Sequence, residues 1–276
     1  MTHVPNPTPL SHFSLLSFDI YGTLIDWETG IGDALLASPH LVRLPASHPL
    51  RHRPTLLVAI EAHERALQAA RPRLPYSQVL AGAYAALVEA HGLRAAPAAG
   101  AQQEAEEDKE EEEAQQLAAA AAAFGASVGR WPAFPDTVAA MQALGRRYKL
   151  AVLSNVDGES LARSRAGPLA GVRFDAVVTA QDVGSYKPDR RNFAALLARV
   201  GAELGVARGA VLHVAQSLFH DHVPAAEVGL PTVWVDRGGA MGEVGAEVRE
   251  RARYGWRVES LGELAEMVDR EGMAER

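Results

Sequence analysis

Phe13-Ser14-Leu15-Leu16-Ser17-Phe18-Asp19-Ile20-Tyr21-Gly22-Thr23-Leu24 is the stretch on which the fold turns. It begins as an apolar run of strand length and stops at an acid, with a Gly and a Thr just beyond. An apolar run bounded by Gly reads as a buried strand of a parallel sheet. In such sheets ligands bind beyond the carboxyl ends of the strands, so Asp19 stands where an α/β fold does its chemistry. Gly22 lets the chain turn sharply, and the Thr23 hydroxyl can donate to a carboxylate. The same residues would also suit a turn in which Asp19 is merely a cap.

Outward from this strand, the C-terminal half alternates strands with helices. Lys149–Leu153, Phe174–Thr179, Ala210–Ala215 and Thr232–Val235 read as four further strands. Helices are predicted from Pro135-Asp136, over Asn192–Val200, over Val223–Val228 with a stop at Gly229, and after a Ser260 cap. This rhythm means βαβ units and a mostly parallel, Rossmann-like α/β sheet.

Residues 31–96 carry no strand signal. Thr55 is a plausible N-cap for a helix with Leu56, Leu57, Ile60, Glu64 and Leu67 at helical spacing. Arg71–Pro75 breaks it, and Ser77 is the predicted cap of a second helix that ends at His91-Gly92. Residues 97–123 are Ala-rich, then acidic, then Ala-rich, which suits either a solvated helix or a disordered insert, with an interaction tail as the functional alternative; because runs of like charge repel, the expectation is a mobile insert. The domain reading is therefore a core of 11–27 and 131–276, interrupted after its first strand by a helical cap at 28–130. A cap inserted there can serve as a lid. Trp131 and Phe134 are expected to pack at the hinge.

Composition excludes several function classes. The chain has 276 residues, enough for one or two domains, and no Cys, so thiolate and disulfide chemistry are absent. The segment Glu104–Glu113 holds eight acids and one Lys and so accounts for the whole formal charge of −7. The remainder is formally neutral, with no basic field to gather nucleic acid. Met1-Thr2-His3-Val4-Pro5 lacks the basic-then-apolar pattern of a secretory signal, and no run of about 18 apolar residues could span a membrane. The expected location is the cytoplasm, with no membrane partner.

Four strand ends offer polar groups: Asp19, then Ser154-Asn155, then Lys187, then Gln216, Ser217 and Asp221. In a parallel sheet they would lie along one edge. Singly, each suits a turn, a solvated charge or a cap. His213, His220 and His222 lie around the last of these ends, but on a strand and a loop they do not share one face, so they read as polar lining or surface rather than a metal site.

Together these segments resemble the haloacid dehalogenase superfamily. Its four motifs are matched by Phe18-Asp19-Ile20-Tyr21-Gly22-Thr23-Leu24, by Leu153-Ser154-Asn155, by Tyr186-Lys187-Pro188-Asp189, and by Val214-Ala215-Gln216-Ser217-Leu218-Phe219-His220-Asp221. The phosphatases of that superfamily carry a second Asp where this chain has Tyr21, and a Mg²⁺-binding Asp where it has Gln216. Tyr21 resembles the 2-haloacid dehalogenase branch, whose halide leaving group needs no proton. The resemblance implies that Asp19 displaces halide from a small 2-haloalkanoic acid and forms an ester, which water then hydrolyses. Lys187 would keep Asp19 ionised, Asp221 would hold Lys187 and orient water, and Thr23 and Ser154 would position carboxylates. Tyr21, Asn155, Gln216 and Ser217 would line the substrate pocket. It implies no cofactor, no metal and a small acid as substrate, and it is compatible with a homodimer.

Departures from the pattern concern the pocket. The cap arginine of the dehalogenases has no clear match: Arg65 lies on the helix at 56–67, and Arg51 and Arg53 precede it. The Tyr expected six residues after the lysine is Phe193, and the Ser-x-Asn of the fourth strand is Gln216-Ser217. Alternatives are hydrolysis of another small carboxylic acid, hydrolysis of a phosphate ester, and a non-catalytic binding protein of the same fold. Tyr21 and Gln216 disfavour the phosphatase; intact Asp19, Lys187 and Asp221 disfavour the non-catalytic form.

Overall fold

The structure, a computed structural model, describes residues 8–93, 103–238 and 245–274. The chain divides into two compact units, one of Met1–Glu28 with Gly129–Arg276 and one of Thr29–Val128. The first holds a sheet of β1 (Leu15–Phe18), β2 (Lys149–Ser154), β3 (Ala176–Thr179), β4 (Val211–Ala215), β5 (Thr232–Val235) and β6 (Trp256–Val258). All five pairings are parallel, in the order β3-β2-β1-β4-β5-β6. The fold is thus the α/β class expected. The sequence reading missed β6, because that edge strand has three residues and buries only Val258 fully, leaving no apolar run to read.

The helical unit contains most of α1 (Trp27–Leu36), then α2 (Arg53–Ala70), α3 (Tyr76–Ala90) and α4 (Gln103–Gly125). Helix α2 starts two residues before the predicted Thr55 cap: His52 is the N-cap, Pro54 lies in the first turn, and the Thr55 hydroxyl pairs with the His52 ring at 3.1 Å. Proline suits that position because its fixed φ is already helical and its missing N–H has no partner to lose. Helix α3 likewise starts before Ser77, after Pro75, because Tyr76 is needed inside: its hydroxyl donates to the buried Glu64 of α2 at 3.2 Å.

Helix α4 corrects the expectation of a mobile insert at 97–123. Residues 103–123 are helical, whereas 97–102 lie outside the described residues. Leu117, Ala120, Ala121 and Phe124 recur at helical spacing and are buried, Phe124 against Tyr84 of α3 with ring centroids 5.5 Å apart. Glu110, Glu111 and Glu112 remain exposed. Alanine supplies the propensity and the packed last turns supply the anchor, which together outweigh like-charge repulsion on a solvated face.

In the core unit, α5 (Thr137–Leu144), α6 (Gly158–Ala166), α7 (Ala180–Val183), α8 (Arg191–Leu204), α9 (Val223–Glu227), α10 (Ala246–Arg251) and α11 (Leu261–Ala274) follow the strands. One buried cluster packs Phe193, Leu196 and Val200 of α8 on Leu15, Leu153 and Val178 of the sheet. Ser260 caps α11, accepting from the Glu263 N–H at 3.1 Å. Asp136 precedes α5 but makes no side-chain cap there. Its carboxylate instead accepts from the Leu261 and Gly262 N–H groups of α11, at 2.7 and 3.3 Å, and from Arg237 at 2.7 Å. Among the described residues no helix is long and apolar enough to cross a membrane.

Two measurements test the helical unit. Phe124→Ala is expected to lower stability by about 3 kcal/mol, as for loss of a buried ring, whereas Glu111→Ala leaves it within about 0.5 kcal/mol; equal effects in urea unfolding would show α4 to be unanchored. Glu64 is the second. Burial pushes its carboxyl up from 4.5 to about 8, against the opposing hydrogen bond from Tyr76. The folded chain therefore holds that proton more tightly than the unfolded chain, and stability falls as pH rises from about 4.5 to 8. Glu64→Gln is expected to remove that slope, a gain at pH 8 on the order of a few kcal/mol. Identical pH profiles for wild type and variant would contradict it.

Candidate active site

Asp19 follows the last residue of β1, the strand flanked by β2 and β4, and its N–H continues the ladder to Val214 O at 3.1 Å. The chain then folds back at once: Leu24 and Ile25 N–H both reach Ile20 O, at 2.8 and 2.9 Å, and Gly22 N–H reaches Ile25 O at 2.8 Å. Gly22 sits at φ +95°, where a side chain is strained, and an added Cβ would come within 3.2 Å of both Gln216 and Trp27. The tight loop carries Thr23 back over the strand end. Its hydroxyl donates to Asp19 Oδ2 at 3.2 Å and accepts from the Gln216 N–H at 3.0 Å.

Lys187 arrives from the loop between α7 and α8, beyond β3, and is almost fully buried. Its ammonium donates to Asp19 Oδ1 at 2.8 Å, to Asp221 Oδ1 at 2.6 Å and to Leu153 O at 2.9 Å. A lysine has three donors, and all three are engaged. Asn155, after β2, fixes the lysine backbone: its Oδ1 accepts from the Lys187 N–H at 2.6 Å and its Nδ2 donates to Lys187 O at 3.1 Å. Asp221 lies in a single π-helical turn, Leu218–His222, that leads into α9. Such turns re-aim side chains and recur at functional sites.

The two carboxylates differ. Burial raises the Asp19 carboxyl, and the neighbouring Asp221 charge adds to the rise, although Lys187 opposes both. Burial would also raise Asp221, but the Lys187 charge and the hydrogen bond from His213 outweigh it and hold it well below the usual carboxylate range. Burial disfavours the Lys187 ammonium, yet the two carboxylates raise it above an ordinary lysine. Asp221 is the firmly ionised anion, and Asp19 is the more basic oxygen donor of the pair.

Ser17 escaped the sequence reading of the site, and His213, expected as polar lining or surface, is instead buried inside a strand. They are register partners on β1 and β4, each fully buried, with Ser17 Oγ 2.8 Å from His213 Nδ1. His213 Nε2 reaches Asp221 Oδ1 at 2.9 Å. The available signal was a polar residue inside each of two otherwise apolar strands.

Other predicted residues are placed as follows. Tyr21 turns its hydroxyl to Ser164 Oγ at 3.0 Å and packs edge-on against Trp131; burial pushes its phenol well above the ordinary value. Ser154 Oγ is buried, and like Asp221 Oδ2 it has no hydrogen-bond partner among the described residues. Gln216 accepts from the Trp234 indole at its carbonyl, 3.0 Å away. The Ser217 hydroxyl is taken up locally, accepting from the His220 N–H at 3.1 Å and pairing with the His220 ring. His222 is buried between Ala215 O and Thr232 Oγ1 rather than on a surface, and burial pushes its imidazole down to about 4. Phe134 lies under the Arg237 guanidinium at 4.1 Å. Within the helical unit, Arg51 donates to Leu36 O and Leu41 O, Arg53 pairs with Asp33, and Arg65 pairs with Glu61. No group of three His, Cys, Asp or Glu among the described residues is arranged to hold a metal ion.

Comparison with known proteins bears on this geometry. A family model described as a haloacid dehalogenase-like hydrolase matches residues 13–215, from the start of the β1 segment to the end of β4. An (S)-2-haloacid dehalogenase from Pseudomonas sp. (strain YL) is 32% identical over 143 residues, which cover 51% of this chain and 56% of that relative. The chain thus matches a little over half the length of that curated relative. Among solved structures, the L-2-haloacid dehalogenase from Xanthobacter autotrophicus superposes with a TM-score of 0.66 at 20% identity, covering 93% of this chain and 98% of the other. The putative HAD-hydrolase YfnB from Bacillus subtilis, bound to magnesium, superposes at 0.64 with 15% identity, covering 93% and 99%. At such identities the superpositions speak for the fold alone, whereas the matched 13–215 span, which contains Asp19, Ser154 and Lys187, decides the family: the chain belongs to the haloacid dehalogenase-like hydrolases.

Proposed function

We propose that this protein is a hydrolase of small 2-haloalkanoic acids, with Asp19 as the nucleophile. The carrying observation is the Asp19–Lys187–Asp221 arrangement, with Tyr21 two residues beyond Asp19 turned to Ser164. An aspartate at that position could protonate a leaving alkoxide; a phenol whose proton is held tightly is poorly suited to it. A halide leaves as an anion and needs no proton. The 32% identity to an (S)-2-haloacid dehalogenase supports the same substrate class.

In the first step an Asp19 carboxylate oxygen attacks the carbon bearing the halogen. The new C–O bond forms as the C–X bond breaks, and halide departs with the bonding pair. Lys187 keeps Asp19 ionised without removing its basicity, which burial and then the adjacent Asp221 charge maintain. In the second step water adds to the Asp19 carbonyl carbon. The ester C–O bond to Asp19 breaks, and the products are a 2-hydroxy acid, the regenerated carboxylate and one proton. Asp221 Oδ2, buried and without a donor among the described residues, suits orienting the attacking water as a hydrogen-bond acceptor, and Ser154 Oγ suits the substrate carboxylate. Division into two steps through a covalent intermediate lowers each barrier. The lack of Cys suits work in a reducing cytoplasm.

The residues fit a divalent metal poorly. Asp19 and Asp221 already share one ammonium, and the neighbouring Gln216 contributes no charge. A hard dication prefers several anionic oxygens. Halide release from a panel of 2-haloacids is therefore expected to be unchanged by EDTA, with phosphate esters turned over poorly. Phosphate release that EDTA abolishes would replace this reading with a metal-dependent phosphatase. Asp19→Asn is expected to fold normally and lose turnover by at least about 10³-fold, since an amide is no nucleophile. A folded variant with near-wild-type turnover would remove Asp19 from its role.

A further inference from the structure

Ser17 and His213 are two polar side chains in strands that are otherwise apolar, and neither is used by the reaction above. Burying such groups costs free energy unless they are hydrogen-bonded. Here the register of β1 and β4 sets them side by side, and the ring spans the gap to Asp221. The direction of each bond follows from the acceptors. Asp221 Oδ1 receives the Lys187 ammonium at 2.6 Å and lies 2.9 Å from His213 Nε2. An ionised carboxylate only accepts, so Nε2 must carry a hydrogen; in the neutral ring Nδ1 then accepts from the Ser17 hydroxyl. The Phe193 ring meets the imidazole edge-on at 5.3 Å and limits its rotation.

We propose that His213 is a positioning residue for the reaction: held by Ser17, it clamps Asp221 Oδ1 so that Lys187 stays centred between the two carboxylates and Oδ2 stays free. The proposal rests on the reading of Asp19, Lys187 and Asp221 as the reacting site. Asp221 stands on a single π turn, so without the ring one of the two donors on Oδ1 is lost and the carboxylate can rotate about its own bond. Rotation would draw the ammonium away from Asp19 or turn Oδ2 out of line. The ionisable groups around the ring include Asp221 beside it, His222 nearby and, through the shared ammonium, Lys187 and Asp19. The low position of Asp221, to which His213 contributes, agrees with the clamp.

Two readouts test it. In the substrate-free wild type, ¹⁵N NMR of the His213 ring, assigned by backbone connectivity, is expected to show hydrogen on Nε2; a bare Nε2 overturns the clamp. In kinetics with the best substrate of the panel, His213→Phe is expected to lower kcat on the order of 10–100-fold with KM little changed, the scale of a small misplacement of reacting groups. His213→Gln, whose amide can donate to Asp221, is expected to recover most of that loss. A folded His213→Phe with unchanged kcat, or a defect confined to KM, overturns the proposal. If His213→Phe does not fold, the ring's Nε2 decides alone. Wild type inactive on every 2-haloacid and phosphate ester would defeat the hydrolytic reading, and the NMR result would still judge the clamp.

Discussion

One buried ammonium between two buried carboxylates is the constraint that organises this core. Lys187 donates to Asp19, Asp221 and the Leu153 carbonyl and keeps no donor in reserve. Such a cluster is expensive to desolvate, and it persists only with close geometry and further hydrogen bonds on the remaining lone pairs. Thr23 serves Asp19 and His213 serves Asp221 Oδ1, while Asp221 Oδ2 has no partner among the described residues. The uneven supply of donors makes the pair asymmetric. Asp221 has two donors on Oδ1 and none among the described residues on Oδ2, whereas Asp19 takes Lys187 on Oδ1 and Thr23 on Oδ2. Burial and the neighbouring Asp221 charge leave Asp19 the more basic of the two, which suits the nucleophilic role proposed for it.

The sheet order explains why four distant segments can meet. From β1 the chain runs outward through β2 to β3, then returns to the other side of β1 with β4 and proceeds to β5 and β6. The reversal lies between β1 and β4, where an open parallel sheet leaves a crevice for ligands. Asp19 leaves β1 there, and Asp221 follows β4. Lys187 reaches them from beyond β3, its backbone braced by Asn155 after β2. Asp136 and Arg237 extend the bracing: Arg237 donates to the Thr23 carbonyl at 2.9 Å, and Asp136 joins that guanidinium to the start of α11. The loop that aims Thr23 at Asp19 is thus tied to the last helix of the chain.

Much of this was legible in the residues. The apolar run ending at Asp19, the alternation of strands and helices, and the polar groups at successive strand ends depend on local pattern, and local pattern is what a sequence displays. Gly22 and Thr23 could be understood in place, because a positive φ and a short hydroxyl reach are properties of three or four adjacent residues. The acidic insert was misjudged for a related reason. Its charge is local and visible, whereas the burial of Leu117 and the packing of Phe124 on Tyr84 depend on contacts outside the segment itself.

Tertiary structure alone decided the rest. That Ser17 faces His213 is a matter of strand register between residues 196 positions apart, and no pattern in either strand announces it. That His222 is buried in the core, that Ser217 serves its own turn, and that Asn155 braces the lysine backbone follow from which way each side chain leaves the sheet edge. The sequence by itself determined which residues stand at the strand ends, because apolar periodicity is set by burial along one segment. Only the folded chain determined which of them touch, because contact depends on sheet order and register, and those are settled by the whole core at once.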